Sequence, residues 1–386
     1  MPHLKTAIVH DWLTTFGGSE QVFKAIYEEF PSPIYTLFYN QSYIDTFLPS
    51  DHEITSSFLQ KIPFIGKIYR NLLPLYPYAV EQLDISEYDV VLSSSHSIAK
   101  GVLTSAEQLH ICYCSSPMRY AWDLYFAHLN SSGRLKKIFM QLFMQRLRTW
   151  DTISSSRVDH FIANSRYIAK RIAKNYGREA HVIYPPVDVN RFFLCKDKEE
   201  YYITISRLVP YKKVDLLVEA FRHIPGKKLI VVGDGPEMSK LKKNAPKNVE
   251  FLGFIPENQC KILLSKAKGF LFMAKEDFGI SPVEAQSAGI PVIAYGKGGV
   301  LETVIHHKTG ILFEEQTVAS LLSAIKHFEN YEEHFDPQAI RSHAFQFSKE
   351  RFKREYTDFV TMKTQEFYES DHPGRRKRDP SLAHFE

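Results

Sequence analysis

The chain has 386 residues, 44% hydrophobic and 24% charged, with a formal net charge of +4 at pH 7. That length exceeds one ordinary core and points to two domains of comparable size. The composition excludes disorder except at the tail, and the small net charge gives nucleic-acid binding little support.

The first predicted element is a short apolar strand over 6–10, then a loop with Gly17-Gly18 and a helix over 19–30. The run at 7–9 is too short for a signal peptide or a membrane span. Buried strands follow over 90–92 and 110–113, each with polar residues at its C-terminal end. His96, after the first of these, faces the expected cleft, or is satisfied by the local hydroxyls of Ser93, Ser94, Ser95 and Ser97. A strand over 157–163 and a helix over 166–176 continue the alternation of a parallel sheet wrapped by helices. Cys112, Cys114, Cys195 and Cys260 form neither a disulfide ladder nor two zinc-spaced pairs, which fits buried thiols in a reducing cytoplasm.

Tyr184-Pro185-Pro186-Val187 and the charged run 196–200 interrupt the pattern as a linker. It then restarts with strands over 201–206, 228–232, 269–273 and 291–294 and a helix over 214–222. Two doubly wound domains facing a central cleft are the simplest account, and such sheets bind ligands beyond the carboxyl ends of their strands. After residue 313 the chain turns largely helical, notably over 348–368, and it finishes in Arg375-Arg376-Lys377-Arg378.

The chemistry concentrates at those strand ends. In Glu276-Asp277-Phe278-Gly279-Ile280-Ser281-Pro282-Val283-Glu284, Pro282 suits the first position of a helix capped by Ser281. Glu276 is then in a loop and Glu284 in the first turn, with the N–H groups near Gly279, Ile280 and Ser281 aimed at an anion. Alternatively, Ser281 and Glu284 form only an S-x-x-E capping box. Arg207 and Lys212 flank the strand-to-helix loop after 206, placed for a nucleoside diphosphate or as plain surface charges. Gly233-Asp234-Gly235-Pro236 lacks the third glycine of a dinucleotide fingerprint, which falls on Met238, so a tight loop accounts for it as well as a phosphate cradle. Gly17-Gly18 opens a helix against bare backbone, as a turn or a ligand approach. No serine-hydrolase elbow, zinc-protease motif, P-loop lysine or D-x-D triplet occurs, so no metal is indicated.

As a set, Gly17-Gly18, the His96 segment, Ala163-Asn164-Ser165, Tyr184-Pro185-Pro186-Val187-Asp188, Ser206-Arg207-Leu208 with Lys212, Val232-Gly233-Asp234-Gly235-Pro236, the Glu276/Glu284 pair and Gly298-Gly299 before Glu302 resemble the retaining glycosyltransferases of family 4. The resemblance implies an α/β GT-B fold: an acceptor-side Rossmann-like domain at 1–190, a nucleotide-sugar domain at 195–345, a helix at 346–370 crossing back, and a basic tail at 371–386. It implies that Glu284 holds the ribose, Glu276 and the backbone of Phe278, Gly279 and Ile280 the sugar, and Arg207 and Lys212 the diphosphate. Gly18 would approach the donor phosphate and His96 the sugar or reacting centre, with no cofactor.

The segment from Cys112 to Asp123 resembles more specifically bacterial O-antigen and exopolysaccharide mannosyltransferases, although Ser115-Ser116-Pro117 stands where those carry His-Thr-Pro. Expected from this is mannose transfer from GDP-mannose to a lipid-linked or oligosaccharide acceptor, with a UDP-sugar transferase or a non-catalytic polysaccharide-binding protein as alternatives. Same-face attack, in which the leaving phosphate takes the acceptor proton, fits retention without an obvious nucleophile. Basic, apolar segments at 58–78 and 134–150 suit the inner face of the cytoplasmic membrane, or are core with solvated cations.

Overall fold

The computed structural model describes residues 4–15, 17–130 and 133–370; the basic tail at Arg375-Arg376-Lys377-Arg378 lies outside them. Seven strands form the first sheet: β1 (Thr6–His10), β2 (Ile34–Thr36), β3 (Ile54–Ser56), β4 (Val90–Ser95), β5 (Leu109–Cys114), β6 (His160–Ala163) and β7 (Ala180–Val182), in the order β3-β2-β1-β4-β5-β6-β7. Six form the second: β8 (Tyr201–Ile205), β9 (Lys228–Val232), β10 (Val249–Gly253), β11 (Gly269–Phe272), β12 (Val292–Tyr295) and β13 (Gly310–Phe313), in the order β10-β9-β8-β11-β12-β13. The second sheet pairs in parallel throughout, as does the first from β3 to β5. In both, the third, second, first, fourth, fifth and sixth strands lie side by side, so the order reverses between first and fourth, where α/β sheets open a crevice.

The second sheet is apolar on both faces because helices cover both. Tyr202, Val231, Leu271 and Ile293 enter one core cluster, and their neighbours Ile203, Ile230, Phe270 and Val292 enter another, as a period of two requires. The helix Val214–Arg222 buries Val214, Leu217, Val218 and Phe221, the i, i+3, i+4, i+7 stripe of an amphipathic helix.

By compactness the chain divides into two units: residues up to Ile162 together with those from Lys353 onward, and Ala163–Phe352. In the first, Lys353 of the helix Lys349–Ser370 pairs with Glu28 (3.0 Å) and Glu29 (2.8 Å), and the Tyr368 hydroxyl donates to the Asp89 carbonyl (2.8 Å). In the second, the first part of the expected linker is packed into the core, while the charged run 196–200 is exposed. Val187 and Val189 are fully buried in a cluster with Phe278, Val283, Ala344 and Phe347. The cysteines are all free, but only Cys112 and Cys114 are buried; Cys195 and Cys260 are half-buried, outside the strands that enclose the other two.

Candidate functional site

In the second unit, β8 ends at Ile205 and β11 at Phe272, so the two loops at the order reversal are those holding Arg207 and Lys212 and those leading to Glu284. Arg207 is exposed. Lys212 closes a short 3-10 turn, and its Nζ is ion-paired with Glu276 Oε1, the two side chains being 15% and 16% exposed. The structure therefore joins two of the predicted residues directly, 64 positions apart in sequence.

The Glu276 loop is held by backbone. Glu276 forms an isolated parallel bridge with Gly298, and the Gly299 N–H donates to the Glu276 carbonyl (2.9 Å). Gly298 has φ 81°, and a Cβ there would lie 2.4 Å from the Glu276 carbonyl oxygen, so both conformation and space demand glycine. Gly233, at φ 121°, is in the same position against the Arg207 loop, with a Cβ 2.0 Å from the Ser206 carbonyl oxygen. Of the two readings of Gly233-Asp234-Gly235-Pro236, the tight loop is thus present whatever else the segment does.

The helix after Glu276 begins earlier than expected. It runs Ile280–Ser287 with Gly279, φ 92°, at its N-cap and no side-chain cap. Ser281 is inside the first turn, and Pro282 is the third helical residue, tolerated there because the N–H it lacks has no intrahelical partner. The capping box is accordingly absent. Glu284 instead pairs with Arg191, whose guanidinium also lies 3.8 Å from Glu257. Burial lifts the Glu284 carboxyl above its ordinary value, and Arg191 only partly offsets that. The same burial, with Glu284 nearby, pushes the Cys260 thiol up to about 11, so this cysteine is unreactive at neutral pH. Phe278 contributes its side chain to the core, tilted against Tyr184 and edge-on to Phe347, leaving its backbone near the helix start.

A second layer fixes this loop. Ser165 Oγ donates to the Asp277 carbonyl (2.6 Å), and Arg171 lies 3.2 Å from Asp277 Oδ1. Glu302 accepts the N–H groups of Arg166 (2.8 Å) and Tyr167 (2.9 Å), at the start of the helix Arg166–Tyr176.

In the first unit the reversal lies between β1 and β4. Gly17 is the N-cap of the helix Gly18–Glu29, and Gly18 is exposed. His96 follows β4, and its Nδ1 lies 2.8 Å from Oδ2 of Asp11, a fully buried carboxylate at the end of β1. Asp11 also accepts N–H groups from His96 (2.6 Å), Ile98 (2.5 Å) and Ala99 (2.6 Å). Burial by itself would raise this carboxyl, but the imidazoles of His96 and His10 outweigh it and hold the group well below the usual carboxylate range. Arg191 and Asp11 escaped the sequence reading; Asp11 carried a signal, a carboxylate directly after a buried strand that enters a glycine loop. Among the described residues no group of three or more metal-ligating side chains occurs.

Residues 39–191 match the model described as Glycosyltransferase Family 4, and 188–342 that of Glycosyl transferases group 1. The chain is 33% identical over 296 residues, 68% of its length, to the N-acetyl-alpha-D-glucosaminyl L-malate synthase of Bacillus anthracis, covering 75% of that protein. It is 32% identical over 192 residues, 42% of its length, to the GDP-mannose-dependent alpha-(1-6)-phosphatidylinositol monomannoside mannosyltransferase of Mycobacterium tuberculosis, and spans only half (50%) of that relative. Among solved structures, Anabaena Alr3699/HepE in complex with UDP-glucose superposes with a TM-score of 0.69 at 18% identity, over 93% of this chain and 100% of the other.

Proposed function

The chain belongs to the GT-B glycosyltransferases of family 4 and group 1, and from that premise we propose that it moves a hexose, with retention, from a nucleoside-diphosphate sugar to an acceptor in cell-surface polysaccharide assembly. The observation that carries this is the Lys212–Glu276 ion pair beside exposed Arg207 at the β8/β11 reversal. As the diphosphate leaves, the anomeric carbon gains positive charge and the departing oxygens gain negative charge, so catalysis consists largely of holding that anion. In this reading the diphosphate takes Lys212 from Glu276, Arg207 joins it, and the freed carboxylate meets the sugar hydroxyls. Glu284 takes the ribose, with Gly279, Ile280 and Ser281 offering backbone N–H groups to a phosphate. By resemblance, Gly17 and Gly18 are assigned to the donor phosphate and His96 to the sugar or the reacting centre.

Two donors divide on coverage. A UDP-sugar is favoured by the likeness over nearly the whole chain to a fold that holds UDP-glucose. GDP-mannose rests on relatives matched over half their length. A panel of UDP-glucose, UDP-N-acetylglucosamine and GDP-mannose, read as released nucleotide, decides: release from UDP-sugars alone supports the first, release from GDP-mannose alone the second, and none from any sinks the assignment.

A lipid-linked acceptor at an anionic membrane surface is supported by the first unit. Residues 58–78 and 134–150 contain no carboxylate. Outside the core stand Phe64, 77% exposed, Ile138, Phe139 and Leu142, 71% exposed, with exposed Lys61, Lys67, Arg70, Arg134 and Arg146 around them. The helix Arg134–Ser154 buries Met140, Met144 and Leu147, so its outward apolar residues are surplus to the core. No described helix is long and apolar enough to cross a membrane; surface docking needs none, at about 1 kcal/mol per cation near anionic headgroups. Cosedimentation with anionic vesicles should be strong at low salt and fade as salt rises; no binding at low salt would remove this part of the proposal.

A further inference from the structure

Beside His96, the end of β1 carries a buried carboxylate, Asp11, to which the donor chemistry gives no role. Asp11 is 0% exposed, accepts three backbone N–H groups from the segment after β4, and has its Oδ2 2.8 Å from His96 Nδ1. An ionised carboxylate only accepts hydrogen bonds, so a ring nitrogen 2.8 Å from it is favoured in its protonated form. His96 is thereby fixed through Nδ1, and its ring meets the Trp12 ring edge-on at 4.7 Å. The second nitrogen, Nε2, lies on the opposite edge of a side chain 27% exposed.

Around this pair stand His10, 6.2 Å from His96 between ring centres, Glu20, whose Oε1 is 3.9 Å from His10 Nε2, and the phenols of Tyr76 and Tyr120, whose ionisation is opposed by burial first and, to a smaller extent, by the Asp11 charge. Asp11 and Glu20 are the carboxylates in the set, and Glu20 is engaged with His10. Asp11 is thus the carboxylate nearest the His96 ring, 2.8 Å from Nδ1.

We propose that Asp11 is a positioning residue for His96, holding the imidazole with its proton at Nδ1 so that Nε2 is the nitrogen that meets a hydroxyl of the transferred sugar or of the acceptor. This rests on the transferase reading. A carboxylate that fixes the tautomer and angle of an imidazole spares that ordering during the reaction.

The test uses the full chain with Asp11→Asn, His96→Gln and the double variant, after the donor panel has found a substrate. Each single variant should lower kcat by about 10²–10⁴-fold, the range of a positioned proton-handling group, with donor KM within about threefold. The double should be no slower than the slower single, because residues acting as one unit are non-additive. Nitrogen-15 spectra of the imidazoles should show the His96 proton on Nδ1 in the wild type and its redistribution in Asp11→Asn. Normal kcat in Asp11→Asn, losses that multiply in the double, or a wild-type His96 protonated only at Nε2 would each overturn the assignment. Should Asp11→Asn fail to fold, the wild-type tautomer and the kcat/KM split of His96→Gln decide. Should the wild type turn over no donor, the transferase reading falls, and the tautomer spectra still decide whether Asp11 holds His96.

Discussion

At the order reversal of the second sheet, each carboxylate of the motif faces a cation: Glu276 meets Lys212, and Glu284 meets Arg191. At the same place in the first sheet the carboxylates face imidazoles, Asp11 with His96 and Glu20 with His10. Lysine and arginine stay charged at any working pH and exchange one anion for another, whereas an imidazole exchanges protons. One strand order therefore places carboxylate–cation pairs in one unit and carboxylate–imidazole pairs in the other, in the proposed reading an anion-exchange site and a proton-handling site. The backbone supplies the place, and the residues after the strands supply the chemistry.

The sharpest way to break this contrast is at the cations. Arg207→Ala or Lys212→Ala should cost about 2.7–4 kcal/mol of barrier, roughly 10²–10³-fold in turnover, as for other preorganised anion-stabilising groups. Arg207→Ala should leave Tm unchanged, since that side chain is exposed. Wild-type turnover in either variant would remove the diphosphate from this loop.

A histidine without a carboxylate gives the control for the first unit. His110, in β5, lies 2.8 Å from Ser93 Oγ and 3.2 Å from the Arg157 carbonyl, and burial pulls it down to about 4, with the Lys100 and Arg157 charges adding to that. Its pKa is lower folded than unfolded, so the unfolded chain binds more protons in the window between. Stability is full above about 6.5 and falls as pH drops toward 4, by about 3 kcal/mol at 1.36 kcal/mol per unit. Denaturant unfolding of wild type and His110→Gln across that window should show a shallower slope in the variant; equal slopes would place the acid sensitivity elsewhere.

Glu284→Gln and Arg191→Gln sharpen the anion-exchange half. If Glu284 takes the ribose, Glu284→Gln should weaken binding of the free nucleoside diphosphate by about 1.5–3 kcal/mol, the worth of a hydrogen bond to a charged group. Arg191→Gln should weaken it most at low pH, because the Glu284 carboxyl, already raised by burial, then loses the guanidinium that offsets it. Titration calorimetry at two pH values checks both, and unchanged affinity in Glu284→Gln would return the residue to a structural role. The smallest expected effect is Glu302→Ala, about 1 kcal/mol of stability for a lost helix cap, read as a Tm shift with unaltered donor affinity.

The repeating strands and helices were legible because their signal is local. The helices Arg166–Tyr176 and Val214–Arg222 and the strand Lys228–Val232 end where periodicity and charge say they end. The three-residue strands β2, β3 and β7 carry too few residues for any period to show. The start of the helix at Ile280 was misplaced because Ser-Pro is the stronger local signal, while the left-handed turn at Gly279 is a property of the folded loop. Glu276, Lys212 and Arg207 stood out by residue type alone. Which charge each meets did not, since Glu284 and Arg191 are 93 residues apart, Asp11 and His96 85, and Arg166 and Glu302 136. A side chain's type and a segment's period are written within a few residues, but a partner is chosen by strand order, and strand order exists only once the crossovers have closed.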